Sequence, residues 1–272
     1  MGQYETERIL AVLHVLSACS AIISLSSTAA AWTHWSEVLD TCPDYRCGCI
    51  LYGYSSFDSF RGGRNPACHF TTFAPIPVII ISFILAGYHG YHVCIVTRRR
   101  KPSPRRTQRS RRGNRDVAIE EPAWAGSDPA CTCWIALAIL AAAVACLLVV
   151  NAAILTHGFF ETCDEYSRTL VKYLVATGQT AAVIYGRLSC GAIYDFMDYL
   201  EPVTRPFREL EGVDYGPRTE RRDFYRGDFI NTGVALQLAM AFTWINFIIW
   251  FAAIVYYSIL ARENGRCLCC NK

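Results

Sequence analysis

The chain has 272 residues, 53% of them apolar, a net charge of +3 and 14 cysteines. Length alone allows one large or two small domains. Four separate apolar stretches of bilayer-spanning length exclude a soluble globular reading and predict an all-α membrane protein, a four-transmembrane-helix bundle with disulfide-stabilised outer loops. Charge becomes informative only by region: residues 97–130 carry ten basic and four acidic side chains, whereas 33–73 and 157–231 come to −1 and −3. Short loops rich in Lys and Arg stay in the cytoplasm, so this loop and both chain ends are predicted to be cytoplasmic. The resident membrane is then the plasma membrane or one of the secretory pathway.

In chain order, residues 1–8 form a short cytoplasmic N-terminus. Gly2, with Thr6 at the hydroxyl position, fits the N-myristoylation pattern; the plain alternative is an unmodified tip. The first span is predicted over 9–32 and read as retained, because it lacks the basic leader of a cleavable signal. Its small residues, Ser17, Ala18, Ser20, Ala21, Ser24 and Ser27, allow close helix approach. Trp32 and Trp35 are expected at the outer interface, where amphipathic rings are favoured.

The first outer loop, 33–73, holds four cysteines and a turn over Gly62 to Pro66, and is expected to form a compact cap. The second span, 74–96, begins with Pro75 and Pro77, suited to a first helical turn that has no internal N–H partners. Near its inner end His89 and His92 share a face. Metal or haem ligation, with His14 as the further imidazole, is weighed against interhelical hydrogen bonding or a snorkelled ring, which are favoured.

The basic loop 97–130 contains Arg98, Arg99, Arg100, Lys101, Arg105 and Arg106 as candidate contacts to anionic inner-leaflet lipids, each worth about 1 kcal/mol near the surface. Phosphate on Ser103 or Ser110 would weaken that attraction. The bland alternative is a topology determinant alone.

The third span is predicted over 131–156, with Asn151 read as interhelical glue. The second outer loop, 157–231, is the largest aqueous segment. Its Arg226-Gly227-Asp228 is read as a helix-entry turn rather than a receptor ligand. The fourth span, 232–260, carries Gln237, Asn246, Tyr256 and Tyr257, the last two expected to form the inner aromatic belt. In the tail, 261–272, Cys267, Cys269 and Cys270 are candidate palmitoylation sites; zinc binding is disfavoured because separated Cys/His pairs are missing.

Disulfides persist only on the oxidising side of a membrane. Six cysteines fall in the predicted outer loops, Cys42, Cys47, Cys49, Cys68, Cys163 and Cys190, and spacing leaves all fifteen pairings open. Cys19 and Cys146 lie within spans and are expected to be small core residues.

Several motifs in order carry a resemblance. Cys49-Ile50-Leu51-Tyr52 lies in the first outer loop and Ala67-Cys68-His69-Phe70 closes it. Cys163-Asp164 follows the third span, Ser189-Cys190 comes later, and Asp223-Phe224-Tyr225, Phe229, Gln237 and Trp244 lead into the fourth. This order resembles the transmembrane protein 179 family of four-span proteins, over nearly the whole chain. Departures are the added Cys42 and Cys47, the strongly basic cytoplasmic loop and a longer second outer loop. The family has no established activity, so the resemblance implies architecture rather than mechanism. Our structural guess pairs Cys163 with Cys190 and Cys49 with Cys68, leaving Cys42 and Cys47 for each other.

No predicted span contains Asp, Glu, Lys or Arg, the usual marks of ion paths and proton relays. The leading expectation is therefore a non-enzymatic interaction, accessory or trafficking protein that binds a membrane-protein partner, a channel or receptor. A small channel or transporter lined by Asn151, Gln237 and Asn246 is the runner-up. An enzyme is the least favoured reading, since His34 and His157 have no obvious nucleophile partner. No cofactor and no nucleic-acid partner are expected. Small-residue faces permit a homo-oligomer.

Overall fold

A computed structural model describes residues 3–36, 38–40, 42, 46–56, 59–96, 134–173, 177–200 and 230–263. Helix α1 (Gln3–Trp35) is followed by a hairpin of β1 (Cys49–Ser56) and β2 (Ser59–Gly63), then α2 (Asn65–Phe73) and α3 (Pro75–Tyr91), which ends in a π-helical turn (His92–Val96). Next come α4 (Trp134–Tyr173), the short helices α5 (Gln179–Arg187) and α6 (Cys190–Leu200), and α7 (Thr232–Glu263). Four segments are long and apolar enough to cross a membrane: Tyr4–Trp35, Asn65–Cys94, Trp134–Lys172 and Thr232–Arg262.

The burial pattern explains how the long helices pair. On α1, every third or fourth residue from Glu7 through His14, Ser17, Ser24 and Thr28 to Trp35 is buried. On α7 the same 3-4 spacing runs from Thr232 through Thr243, Asn246 and Trp250 to Tyr257 and Leu260. A seam that repeats every 3.5 residues stays aligned along two helices only if they cross at a shallow angle, about 20°. The packing follows: α1 lies between α3 and α7, and α7 lies between α1 and α4. Away from the seams, Ile80, Phe83 and Ile84 on α3 and Ile248 and Phe251 on α7 are more than half exposed. Such a band is costly in water and favourable in hydrocarbon.

The helices outrun the apolar stretches. Glu7, expected in a polar tip, is helical and buried. Helix α4 continues to Tyr173 because Phe159, Cys163, Tyr166 and Leu170 keep an apolar face at helical spacing, buried in the core beneath the hairpin. Within the segment read as the second outer loop, the chain also forms α5 and α6.

The hairpin was not visible in the sequence, which has no two-residue turn signal between its strands. It is antiparallel, with a register shift between Cys49 and Tyr54, where Tyr52 takes a φ of 60°. That is left-handed backbone in a bulge, uncommon for a non-glycine residue. The bulge sets the Tyr52 hydroxyl to donate to Ile154 O of α4 at 3.2 Å, while Thr162 of α4 donates to Ile50 O at 2.9 Å and accepts from Gly53 N at 3.0 Å. Close approach requires Gly158, where an added Cβ would stand 2.9 Å from Leu51 Cβ and from the Tyr52 ring. The expected turn at Gly62 to Pro66 is a switch from strand to helix, with Arg64 extended and Pro66 in the first turn of α2.

Three further expectations are corrected. Tyr257 does not sit in an inner aromatic belt: it is fully buried, because its hydroxyl bonds two histidines of neighbouring helices. Trp35 does not sit in an interfacial belt: it is fully buried, because its indole N–H donates to Thr232 Oγ1 at 2.7 Å in the core under the hairpin. Cys19 and Cys146 are exposed rather than core residues, since they fall off the buried repeats of α1 and α4.

Candidate functional site

The buried side of α1 is polar for most of its length, and its polar atoms are matched across three helices. Ser17 is the hub. Its hydroxyl donates to Asn246 Oδ1 at 2.7 Å and accepts the Trp250 indole N–H at 2.8 Å, so Ser82, 2.9 Å away, donates to it as well. One donor and two acceptor lone pairs are then all used. Two turns farther along α1, Thr243 donates to Ala239 O at 2.7 Å, which leaves Ser24 as donor to Thr243 at 2.8 Å. The small serines that permit close approach are thus also the polar contacts between helices, as expected where water cannot serve.

Toward the other end of α1, His14 and His89 converge on one hydroxyl. Their Nε2 atoms lie 2.8 and 2.9 Å from Tyr257 Oη. The rings are parallel within 7° with centroids 5.8 Å apart; Trp250 packs edge-on against His14, and Trp134 stacks on His89. Beyond them, His92 Nδ1 is 3.6 Å from Glu7 Oε2. Of the two histidines expected to share a face, His89 makes an interhelical hydrogen bond, joined there by His14, whereas His92 is partly exposed and faces Glu7. Among the described residues no group of three or more His, Cys, Asp or Glu is arranged to hold a metal ion.

The three amides proposed to line a route do not converge. Asn246 is bound to Ser17, Gln237 is exposed with its amide near Gly191, and Asn151 is buried without a hydrogen-bond partner on either amide atom. Asn151 is therefore not interhelical glue: it sits on the buried, otherwise apolar repeat of α4 with Ala141, Val144, Leu148 and Leu155, and neither amide atom finds a partner there.

At the hairpin end, disulfides join Cys42 to Cys47, Cys49 to Cys68 and Cys163 to Cys190. The second ties β1 to α2, and the third ties α4 to the start of α6. Between hairpin and α2 lies a cleft of about 390 Å³ lined by Tyr52, Tyr54, Gly63, Arg64 and Ala67. His34 lies edge-on to Trp35, and His157 lies against the Tyr52 ring.

Asp198 on α6 is a residue that spacing gave no reason to single out. Its Oδ2 accepts the backbone N–H of Thr232 at 2.8 Å, capping α7 from another helix, while Asn231 caps it in cis through Val234 N at 2.8 Å. A carboxylate suits a helix N-terminus, yet burial dominates and raises its pKa above 3.8 despite the hydrogen bonds from Thr232 and the charge of His34. Between 3.8 and that raised value the folded chain binds more protons than the unfolded one, so stability falls as pH rises through the window. Asp198→Asn, which keeps an acceptor for Thr232, is expected to remove this slope; thermal midpoints in mild detergent from pH 4 to 7 check it. Asp198→Ala is expected to lose the cap as well, about 1 kcal/mol.

Gly2, Arg98, Arg99, Arg100, Lys101, Arg105, Arg106, Cys267, Cys269, Cys270 and the Arg226-Gly227-Asp228 turn lie outside the described residues. No family model, curated protein or solved structure matches the chain, so what it does is read from its own residues.

Proposed function

We propose that the chain is a four-span membrane bundle of the transmembrane protein 179 type, with both termini cytoplasmic, acting without catalysis as an accessory or trafficking partner of another membrane protein. The observation that carries this reading is the braced cap. The Cys49–Cys68 disulfide and the hydrogen bonds to α4 tie the hairpin down, Cys42–Cys47 closes the segment just before it, Cys163–Cys190 fastens α6 to α4, and the cleft beside the hairpin presents two tyrosines and an arginine. Tyr and Arg dominate binding hot spots, and a rigid surface loses little entropy on association. The basic segment from Arg98 to Arg106 adds attraction to anionic lipids on the cytoplasmic face, with acyl chains on Gly2 and on Cys267, Cys269 and Cys270 as further anchors.

The test is purification of the tagged chain from its native cells in mild detergent. A channel or receptor retained in stoichiometric amount by wild type and lost by Tyr54→Ala/Arg64→Glu supports the reading. Loss of nothing by that variant, or a wild type that purifies alone, overturns it. A transporter is the second reading, favoured by the unpartnered Asn151 amide in a buried helix face. Saturable solute flux in liposomes that Asn151→Leu abolishes would support it.

A further inference from the structure

The histidine pair carries more than a structural bond. A phenol hydroxyl has one proton, so with two Nε2 atoms beside it Tyr257 donates to one ring and accepts from the other. In the neutral pair one imidazole must carry its proton on Nε2 and the other on Nδ1. Both Nδ1 atoms are buried and without a hydrogen-bond partner, so one ring leaves an N–H unsatisfied and the other a lone pair. In a membrane interior such orphaned polar atoms are costly, and buried ionisable groups there mark functional sites. A structural hydrogen bond alone would need one histidine, not two with opposed tautomers.

We propose that His14, Tyr257 and His89 form an intramembrane proton-exchange site whose two ports are the unpartnered Nδ1 atoms. Start with His14 protonated on Nε2 and His89 on Nδ1, Tyr257 donating to His89. A proton binds His14 Nδ1. The His14 Nε2–H bond then breaks as a new O–H bond forms on Tyr257, whose original proton passes to His89 Nε2. His89 now holds both protons and releases the one on Nδ1. One proton has entered and one has left, with no net charge gained and with the two tautomers interchanged. Around the pair stand Glu7 on α1, Tyr88 and His92 on α3, the indole of Trp134 on α4, and Tyr257 itself from α7. In the Glu7–His92 pair the His92 side chain is 20% exposed. The site stands independently of the cap and of whatever the cap binds.

The test is nitrogen NMR of the full chain, labelled with ¹⁵N at its six histidines and placed in phosphatidylcholine nanodiscs, each ring assigned by a single His→Gln substitution. Opposite tautomers at His14 and His89 are expected, interchanging about tenfold faster for each unit fall in pH because a proton must first bind. Tyr257→Phe keeps the ring and removes the bridge, and is expected to slow the interchange by about 100-fold. Ser26→Ala, which removes an exposed hydroxyl of α1 outside the buried seam, is expected to leave it unchanged. Identical tautomers in the two rings, an interchange indifferent to Tyr257→Phe, or an equal loss in Ser26→Ala would each overturn the proposal.

Discussion

Replacing both Cys163 and Cys190 by serine is expected to destabilise the chain by about 3.5 kcal/mol, the loop-closure entropy of a bridge spanning this length. The bond closes a separation of 27 residues, against 19 for Cys49–Cys68 and 5 for Cys42–Cys47. The same relation gives about 3 and about 2 kcal/mol for those two. The largest loss also has the widest structural reach. Without this bond α6 keeps its seat on α4 only through contacts such as Tyr194, whose ring stacks on Phe159 and whose hydroxyl donates to Phe159 O at 3.1 Å. Burial holds that phenol neutral far above its ordinary pKa. Guanidine unfolding followed by Trp fluorescence gives the ranking, and non-reduced peptide mapping checks the pairs. A double variant as stable as wild type would show that the bridge is not closed in the native protein.

Trp35→Ala is expected to cost about 3 to 5 kcal/mol, the range for deleting a fully buried indole. Trp35 lies where α1, the hairpin core and the start of α7 meet, with Leu39, Ile50, Leu51 and Leu236 in the same cluster. Trp35→Phe separates packing from polarity. It keeps most of the volume, removes only the donor to Thr232 Oγ1, and is expected to cost about 1 kcal/mol. Had Trp35 been an interfacial anchor, both substitutions would change stability little and equally. The ratio of the two losses, read from the same unfolding curves, therefore decides between burial and interface.

The two tryptophans show how far the sequence could be read. Trp32 and Trp35 follow an apolar run, and the interfacial preference of indoles is a sound prior for both. Only the neighbours brought in from afar, Thr232 and the hairpin core, make Trp35 an interior residue. The polar seam was more nearly legible. Glu7, His14, Thr28 and Trp35 fall on one heptad position of α1 and Ser17 and Ser24 on another, as do Asn246 on one and Thr243 and Tyr257 on another of α7. Such a repeat marks two seams facing each other, but it was masked by equally small residues on neighbouring positions. Asp198 gave no signal, since an acid in an aqueous segment is ordinary until a helix N-terminus is placed over it.

Composition and order by themselves determined the class: four segments apolar enough to cross a membrane, because hydrophobicity summed over some twenty residues is a local property. They also placed Cys42, Cys47, Cys49, Cys68, Cys163 and Cys190 between the spans predicted over 9–32, 74–96, 131–156 and 232–260. The tertiary structure alone decided which cysteine meets which, that the hairpin leans on α4 through Gly158, and that His14 and His89, 75 residues apart in sequence, share one hydroxyl from α7. Those are long-range contacts, and no window along the chain contains both partners.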